Sequence, residues 1–198
     1  MNEKHLKIIE KATVFVKKMY EKGSSTFVYH NFIHTKQVVE AAEKIANNYK
    51  LKDSEYFILI FSAWFHDVGF ITEKTEGHEI QSARFAVNFL LEHAVSSEII
   101  MRISSCIQAT TSSIYPVNFT EEILCDADLF HLGTDKFKQR SKLLKKEEEA
   151  YHQIKISKQK WTEKNIHFLQ SHKYFTSYCR KILEQKKQKT ILQLKMTL

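Results

Sequence analysis

The stretch AWFHDVGF, residues 63–70, brings an apolar run to an end on two adjacent polar side chains, His66 and Asp67. Nearly all of the ten residues before them (YFILIFSAWF) suit a buried core. An unpartnered polar group in such surroundings costs roughly 2–7 kcal/mol, so something must satisfy both. A bound cation would do so. Neighbouring helical side chains diverge by about 100°, yet both reach a single ion that sits off the end of a helix. The competing reading is a C-terminal histidine interacting with the helix dipole, which leaves the adjacent aspartate unexplained.

Two further stretches offer ligands. In YHNFIHTKQVVEAA, residues 29–42, His30 and His34 stand four apart and share one helical face; they also suit an ordinary amphipathic surface. In CDADLFHLG, residues 125–133, Asp126 and Asp128 lie in an otherwise apolar helix, and buried carboxylates need a cation or donors. They project about 200° apart, so one is expected to face inward. Asp128 is that residue, and Asp126 caps or supports. His34, His66, Asp67 and Asp128 then supply two imidazoles and two carboxylates from three helices. This mixture of borderline nitrogen and hard oxygen donors suits Mn, Fe, Co, Ni, Zn or Mg.

The order H…HD…D, with its doublet after an apolar helix and its DADL element, resembles the HD superfamily of metal-dependent phosphohydrolases. YHNFIH is similar to the segment in cyclic-nucleotide phosphodiesterases where the second histidine binds metal and the first is a general acid. The likeness implies metal binding by His34 and proton donation by His30. A narrower resemblance, over residues 29–181, is to small bacterial predicted HD phosphohydrolases. It rests on WFHD at 64–67, HEIQSA at 78–83, DADLFHLG at 126–133 and, more loosely, HKYFTSYCRK at 172–181. His78 stands where that group tends to carry Asn. The stretch IQATTSS, 107–113, lacks the further histidine usual in two-metal relatives, which speaks against a second metal.

The implied reaction is hydrolysis of a phosphoester or phosphoanhydride of a small, nucleotide-like substrate by metal-activated water, with Asp67 in the centre and His30 protonating the departing oxygen. Glu79 orients the water or a ligand histidine, or is simply a carboxylate favoured at a helix N-terminus. Lys36 and Arg84 meet phosphate or belong to a solvated surface; His93 and His131 read as ordinary helix residues. The alternative from another class is a non-catalytic, metal-stabilised helical module that binds nucleotide or nucleic acid. A purely structural metal clip is a third reading. HEIQS has Ser82 where H-E-x-x-H requires histidine, and glycine-rich phosphate loops and G-x-S-x-G are absent.

These side chains must be carried by helices. With four glycines and one proline in 198 residues, helices run uninterrupted, and apolar residues recur at three- and four-residue spacing. The expected spans are 4–22, 31–50, 53–67, 77–94, 96–110, 119–132, 135–156, 160–171 and 173–195. Leu6, Ile9, Thr13, Val16 and Tyr20 form the stripe of the first. Asp53 and Ser96 or Ser97 suit N-caps, and Gly23, Gly69, Gly77 and Gly133 suit C-terminal caps or turns. The expectation is an all-α, single-domain helical bundle over 1–198, its core at about 29–133 and additional C-terminal helices at about 134–198.

Composition narrows the setting. The longest apolar run, Tyr56 to Phe65, falls short of the roughly 20 residues that span a bilayer, and the first twenty residues carry charges every few positions, unlike a signal peptide. Cys106, Cys125 and Cys179 are far apart and odd in number, which reads as a reducing cytoplasm. The net charge of +7 arises mainly late in the chain, between Lys136 and Lys195. Such a face draws phosphorylated substrates or nucleic acid, or is a solvated helix surface. Nucleic acid is not favoured, because aromatic residues are not interleaved with the basic clusters. The long first and last helices leave a homodimer possible.

Overall fold

The computed structural model describes residues 1–23, 27–72 and 76–198. Among them every regular element is helical, as the periodicity predicts: α1 (Glu3–Lys22), α2 (Phe32–Ala46), α3 (Asp53–Phe65), α4 (His78–Glu92), α5 (Ser97–Gln108), α6 (Phe119–Asp128), α7 (Phe137–Tyr151), α8 (Lys158–Ser171) and α9 (Ser177–Lys195). Short 3₁₀ turns follow α3 at Val68–Thr72 and α6 at Phe130–Gly133. No described helix is long and apolar enough to cross a membrane.

The chain forms two compact units. The first carries α1 to α6 and ends at Asp128. Its centre is α3, which packs against α1, α2, α4, α5 and α6. That explains why α3 is apolar all round: Phe57 to Phe65 are buried without a break, as expected for a helix enclosed on every side. Phe57, Phe61 and Phe65, spaced four apart, build a ridge of rings, with Phe61 stacked on Phe65 at 4.7 Å. The second unit carries α7 to α9 and takes in Phe27–Tyr29 from upstream. Its apolar core gathers Leu132, Phe137, Leu169 and Ile191.

Two local expectations need correction. The buried stripe of α1 is Ile8, Ala12 and Val16, and Leu6 is exposed. The sequence offers two neighbouring stripes, and the one continuous with His5, stacked on Phe57 at 4.0 Å, is the one that docks on α3. The N-cap of α3 is Lys52 rather than Asp53. Glu55 reaches back to accept the Lys52 N–H at 2.8 Å, and the Asp53 carboxylate instead meets the amino group of Met1 at 3.0 Å. Gly77 stands in the turn that opens α4, as the expected span 77–94 implies. It is the N-cap of α4 with φ +71°, a left-handed conformation that favours glycine. Ser96 does occupy the N-cap of α5, without a side-chain hydrogen bond.

Candidate metal centre

The four side chains that the motif brings together sit at helix ends. His34 lies in the first turn of α2, where Asn31 caps the helix and its side chain accepts from the His34 N–H at 3.1 Å. His66 is the C-cap of α3, with Asp67 next to it. Asp128 is the last residue of α6. Because α2 and α6 both pack on α3 and on each other, the three ends converge. Placement at an end lets adjacent side chains such as His66 and Asp67 aim at one point despite their helical divergence.

Each of the four residues offers one donor atom, and these atoms lie within 4.8 Å of one another. His34 Nε2 stands 3.1 Å from Asp128 Oδ1 and 3.3 Å from Asp67 Oδ2. His66 Nε2 stands 3.2 Å from Asp67 Oδ2 and 3.6 Å from Asp128 Oδ1. Donors each about 2.0–2.2 Å from a shared cation are separated by about 3–4 Å, so the set already has the dimensions of a coordination shell. His34, His66 and Asp67 are buried, whereas the Asp128 side chain keeps 23 % of its exposure. The set is therefore open to solvent at Asp128.

A hydrogen bond fixes the orientation of one imidazole. His66 Nδ1–H donates to the Ala63 carbonyl at 2.8 Å, which in the neutral ring leaves the Nε2 lone pair facing the other donors. His66 Nε2 and Asp67 Oδ2 are both buried with no hydrogen-bond partner. Native interiors rarely leave such atoms unsatisfied. Two lone-pair donors orphaned side by side are what a cation-binding site presents, and the donor chemistry fits a divalent ion.

Electrostatics point the same way. Burial alone would lower the pKa of His66 and His34, but the adjacent carboxylates of Asp67 and Asp128 outweigh it and raise both, His66 well above its ordinary value. Burial would likewise raise the two carboxylates, yet the imidazoles hold Asp67 and Asp128 well below the usual range. In the protonated state two imidazolium charges balance two carboxylates. A divalent cation that displaces both imidazolium protons preserves that balance, so metal can enter this buried site without leaving a net charge behind.

The remaining candidates fall into place as follows. His30 precedes α2 and lies outside it; its ring centroid is 5.9 Å from that of His34. His78, the first residue of α4, turns Nε2 toward Asp67 Oδ1 at 3.6 Å and Nδ1 toward Glu79 at 3.4 Å. Glu79 thus adjoins the centre through His78. Lys36 is exposed and 3.8 Å from Glu40, and Arg84 is exposed. His93 Nδ1–H donates to the Phe89 carbonyl at 2.8 Å, and the imidazole stacks on the Phe89 ring at 4.3 Å. His131 belongs to the second unit, 3.4 Å from the Tyr29 hydroxyl. The expectation that only one of Asp126 and Asp128 turns inward fails: Asp126 is fully buried and Asp128 occupies the partly open rim. Helical angle ranks directions within one helix, whereas the end of α6 is enclosed from several sides.

Phe70 was not singled out by its sequence context, yet it stands between two of these rings. It stacks on His30 at 3.9 Å and 10°, and meets His78 at 3.9 Å and 33°. The only available signal was its place three residues after Asp67.

No protein-family model and no curated protein matches the chain. Two solved structures share its fold over nearly their whole length. The Lin1889 protein of Listeria innocua is 18 % identical, with a TM-score of 0.66 over 98 % of this chain and 96 % of that one. YpgQ of Bacillus subtilis, solved in complex with ADP, is 17 % identical, with a TM-score of 0.68 over 98 % of this chain and 97 % of that one.

Proposed function

We propose that this protein is a metal-dependent phosphohydrolase of the HD type, cleaving a phosphoester or phosphoanhydride of a small nucleotide-like substrate. The observation that carries the reading is the convergence of His34, His66, Asp67 and Asp128, with the buried Nε2 of His66 and Oδ2 of Asp67 lacking any hydrogen-bond partner. A nucleotide as substrate is supported by the shared fold of YpgQ, which was solved with ADP, and by the chain's basic excess.

His34, His66, Asp67 and Asp128 would hold the cation. A divalent ion held there would supply Lewis acidity toward a water and a phosphoryl oxygen. The opening at Asp128 gives substrate its approach. His30, a ring's width from His34, donates a proton to the departing oxygen, a role that contributes about 10²–10⁴-fold. Glu79, facing Nδ1 of His78, orients that ring toward Asp67.

The test is a panel of nucleoside mono-, di- and triphosphates and cyclic nucleotides with Mn²⁺, read by phosphate, pyrophosphate or nucleoside release. Turnover of at least one compound, lost in Asp67→Ala while helical circular dichroism persists, is the expected result. A metal-loaded protein that turns over nothing on the panel returns the reading to a binding module.

A further inference from the structure

Building on the hydrolase reading, we propose that Phe70 is a positioning residue: its ring is a fixed wall that sets where the His30 and His78 imidazoles stand at the edge of the metal-ligand set. The backbone under this ring is tied directly to the centre. Phe70 N–H donates to the carbonyl of Asp67 at 3.1 Å. Gly69 N–H donates to Ser82 Oγ on α4 at 2.8 Å, and the Thr72 hydroxyl donates to the Gly69 carbonyl at 2.8 Å. A side chain on Gly69 would meet the His78 carbonyl at 2.0 Å. That close approach presses the start of α4 onto the 3₁₀ turn, so only glycine fits there.

On this anchored turn the Phe70 side chain is 4 % exposed and has just two torsions to fix. His30 precedes the N-cap of α2 and lies outside the helix, and its ring lies flat on Phe70 at 3.9 Å. His78 meets the same ring at 3.9 Å, and the two imidazole centroids are 6.4 Å apart. One aromatic ring therefore holds in register a group set to deliver a proton and a group 3.6 Å from Asp67 Oδ1. Offset-stacked and tilted ring pairs are favoured geometries with real directionality, which an aliphatic side chain of similar volume does not reproduce.

The experiment compares wild type with Phe70→Leu, which fills the space without a ring, and Phe70→Tyr, which restores one. Ring-proton NMR of the histidines is recorded on metal-free and Zn²⁺-loaded protein, and kinetics are measured on whichever panel nucleotide the wild type cleaves. In the wild type the ring protons of His30 are shifted upfield by the Phe70 face. In Phe70→Leu they return toward ordinary positions, bound metal stays at the wild-type level, and kcat falls by about 10- to 100-fold, the usual effect of a catalytic group displaced by about 1 Å, with KM changed much less. Phe70→Tyr recovers both signals. Unchanged His30 and His78 resonances in Phe70→Leu overturn the proposal, as do altered resonances with an unchanged kcat. If wild type cleaves nothing, the hydrolase reading fails and the NMR comparison alone decides whether Phe70 sets the two rings. Should Phe70→Leu lose its helical signal, Phe70→Met provides the same ring-free comparison with a more adaptable side chain.

Discussion

Both units of this chain bury charged side chains, and they treat them in opposite ways. In the second unit the Tyr29 peptide is gripped by α7: Glu147 accepts its N–H at 2.7 Å, Arg140 donates to its carbonyl at 3.2 Å, and the guanidinium lies 3.9 Å over its ring. Lys187, 1 % exposed, donates to the His172 carbonyl at 2.6 Å and stands 3.1 Å from Glu184. In these contacts donors meet acceptors, and among the side chains just named Arg140 Nε alone is left over. In the first unit four donor atoms converge within 4.8 Å of one another, and two of them, His66 Nε2 and Asp67 Oδ2, are buried without a hydrogen-bond partner. The contrast teaches how to tell the two apart. Buried charges whose hydrogen bonds are met hold a fold, whereas a converging set of side chains that leaves buried atoms unsatisfied suits a ligand.

That difference is most easily broken at Asp67, whose Oδ2 faces both ligand imidazoles. Asp67→Ala is expected to weaken Mn²⁺ binding by more than about 100-fold, since even residues that merely support ligands cost 10–100-fold. Helical content should persist; equilibrium dialysis with metal analysis checks the first point and circular dichroism the second.

The converse substitution is Glu147→Ala in the second unit. It removes a charged acceptor from a buried N–H, and a loss of about 1–3 kcal/mol in urea unfolding is expected, with metal content unchanged. Lower metal content in this variant would erase the distinction drawn between the two units.

A third test uses pH. In metal-free protein His34 and His66 have raised folded values, so their stabilisation is complete below the ordinary histidine value of 6.5 and is lost as pH rises through the raised ones. Asp67 and Asp128 are lowered, so their contribution is present above the ordinary carboxylate value and disappears as pH falls through the lowered ones. The Tm of the stripped chain should therefore be highest at mildly acidic pH and decline on the alkaline side. Saturating divalent metal, which replaces the imidazolium protons, should remove that alkaline decline. A stripped chain whose Tm is flat from pH 6 to 9 would contradict the assigned pairings.

The smallest effect separates working helix caps from nominal ones. Thr176 accepts the Cys179 N–H at 3.2 Å and is buried, so Thr176→Ala should cost about 1 kcal/mol. Ser96 makes no side-chain cap bond, and Ser96→Ala should fall within about 0.5 kcal/mol. Thermal melts of the two variants side by side provide the check.

How much of this was legible beforehand follows from what each residue type can signal. The nine α-helices among the described residues could be read because few glycines and prolines interrupt the apolar spacing. The convergence of His34, His66, Asp67 and Asp128 could be expected because His66-Asp67 interrupts the most apolar stretch, where only a partner justifies polar side chains. The register of α1 could not, since its two stripes are almost equally apolar and only docking on α3 selects one. The helix expected over 119–132 stops at Asp128 and gives way to a 3₁₀ turn, a local tightening that leaves no mark on periodicity. Lys187 and Arg140 lie in basic runs that read as surface; burial of single members by neighbouring helices is a tertiary effect. Phe70 looked like any core aromatic, because its significance lies in which rings it touches.

His34, His66, Asp67 and Asp128 are proposed to bind one cation together. Calorimetric titration of metal-free protein with Mn²⁺ tests it most directly, with each of the four replaced by alanine in turn. The account predicts about one equivalent bound by the wild type and none retained by any of the four variants at the same concentrations. Full-strength binding in any one of them, or no binding by the wild type with Mn²⁺, Zn²⁺ or Mg²⁺, would contradict it.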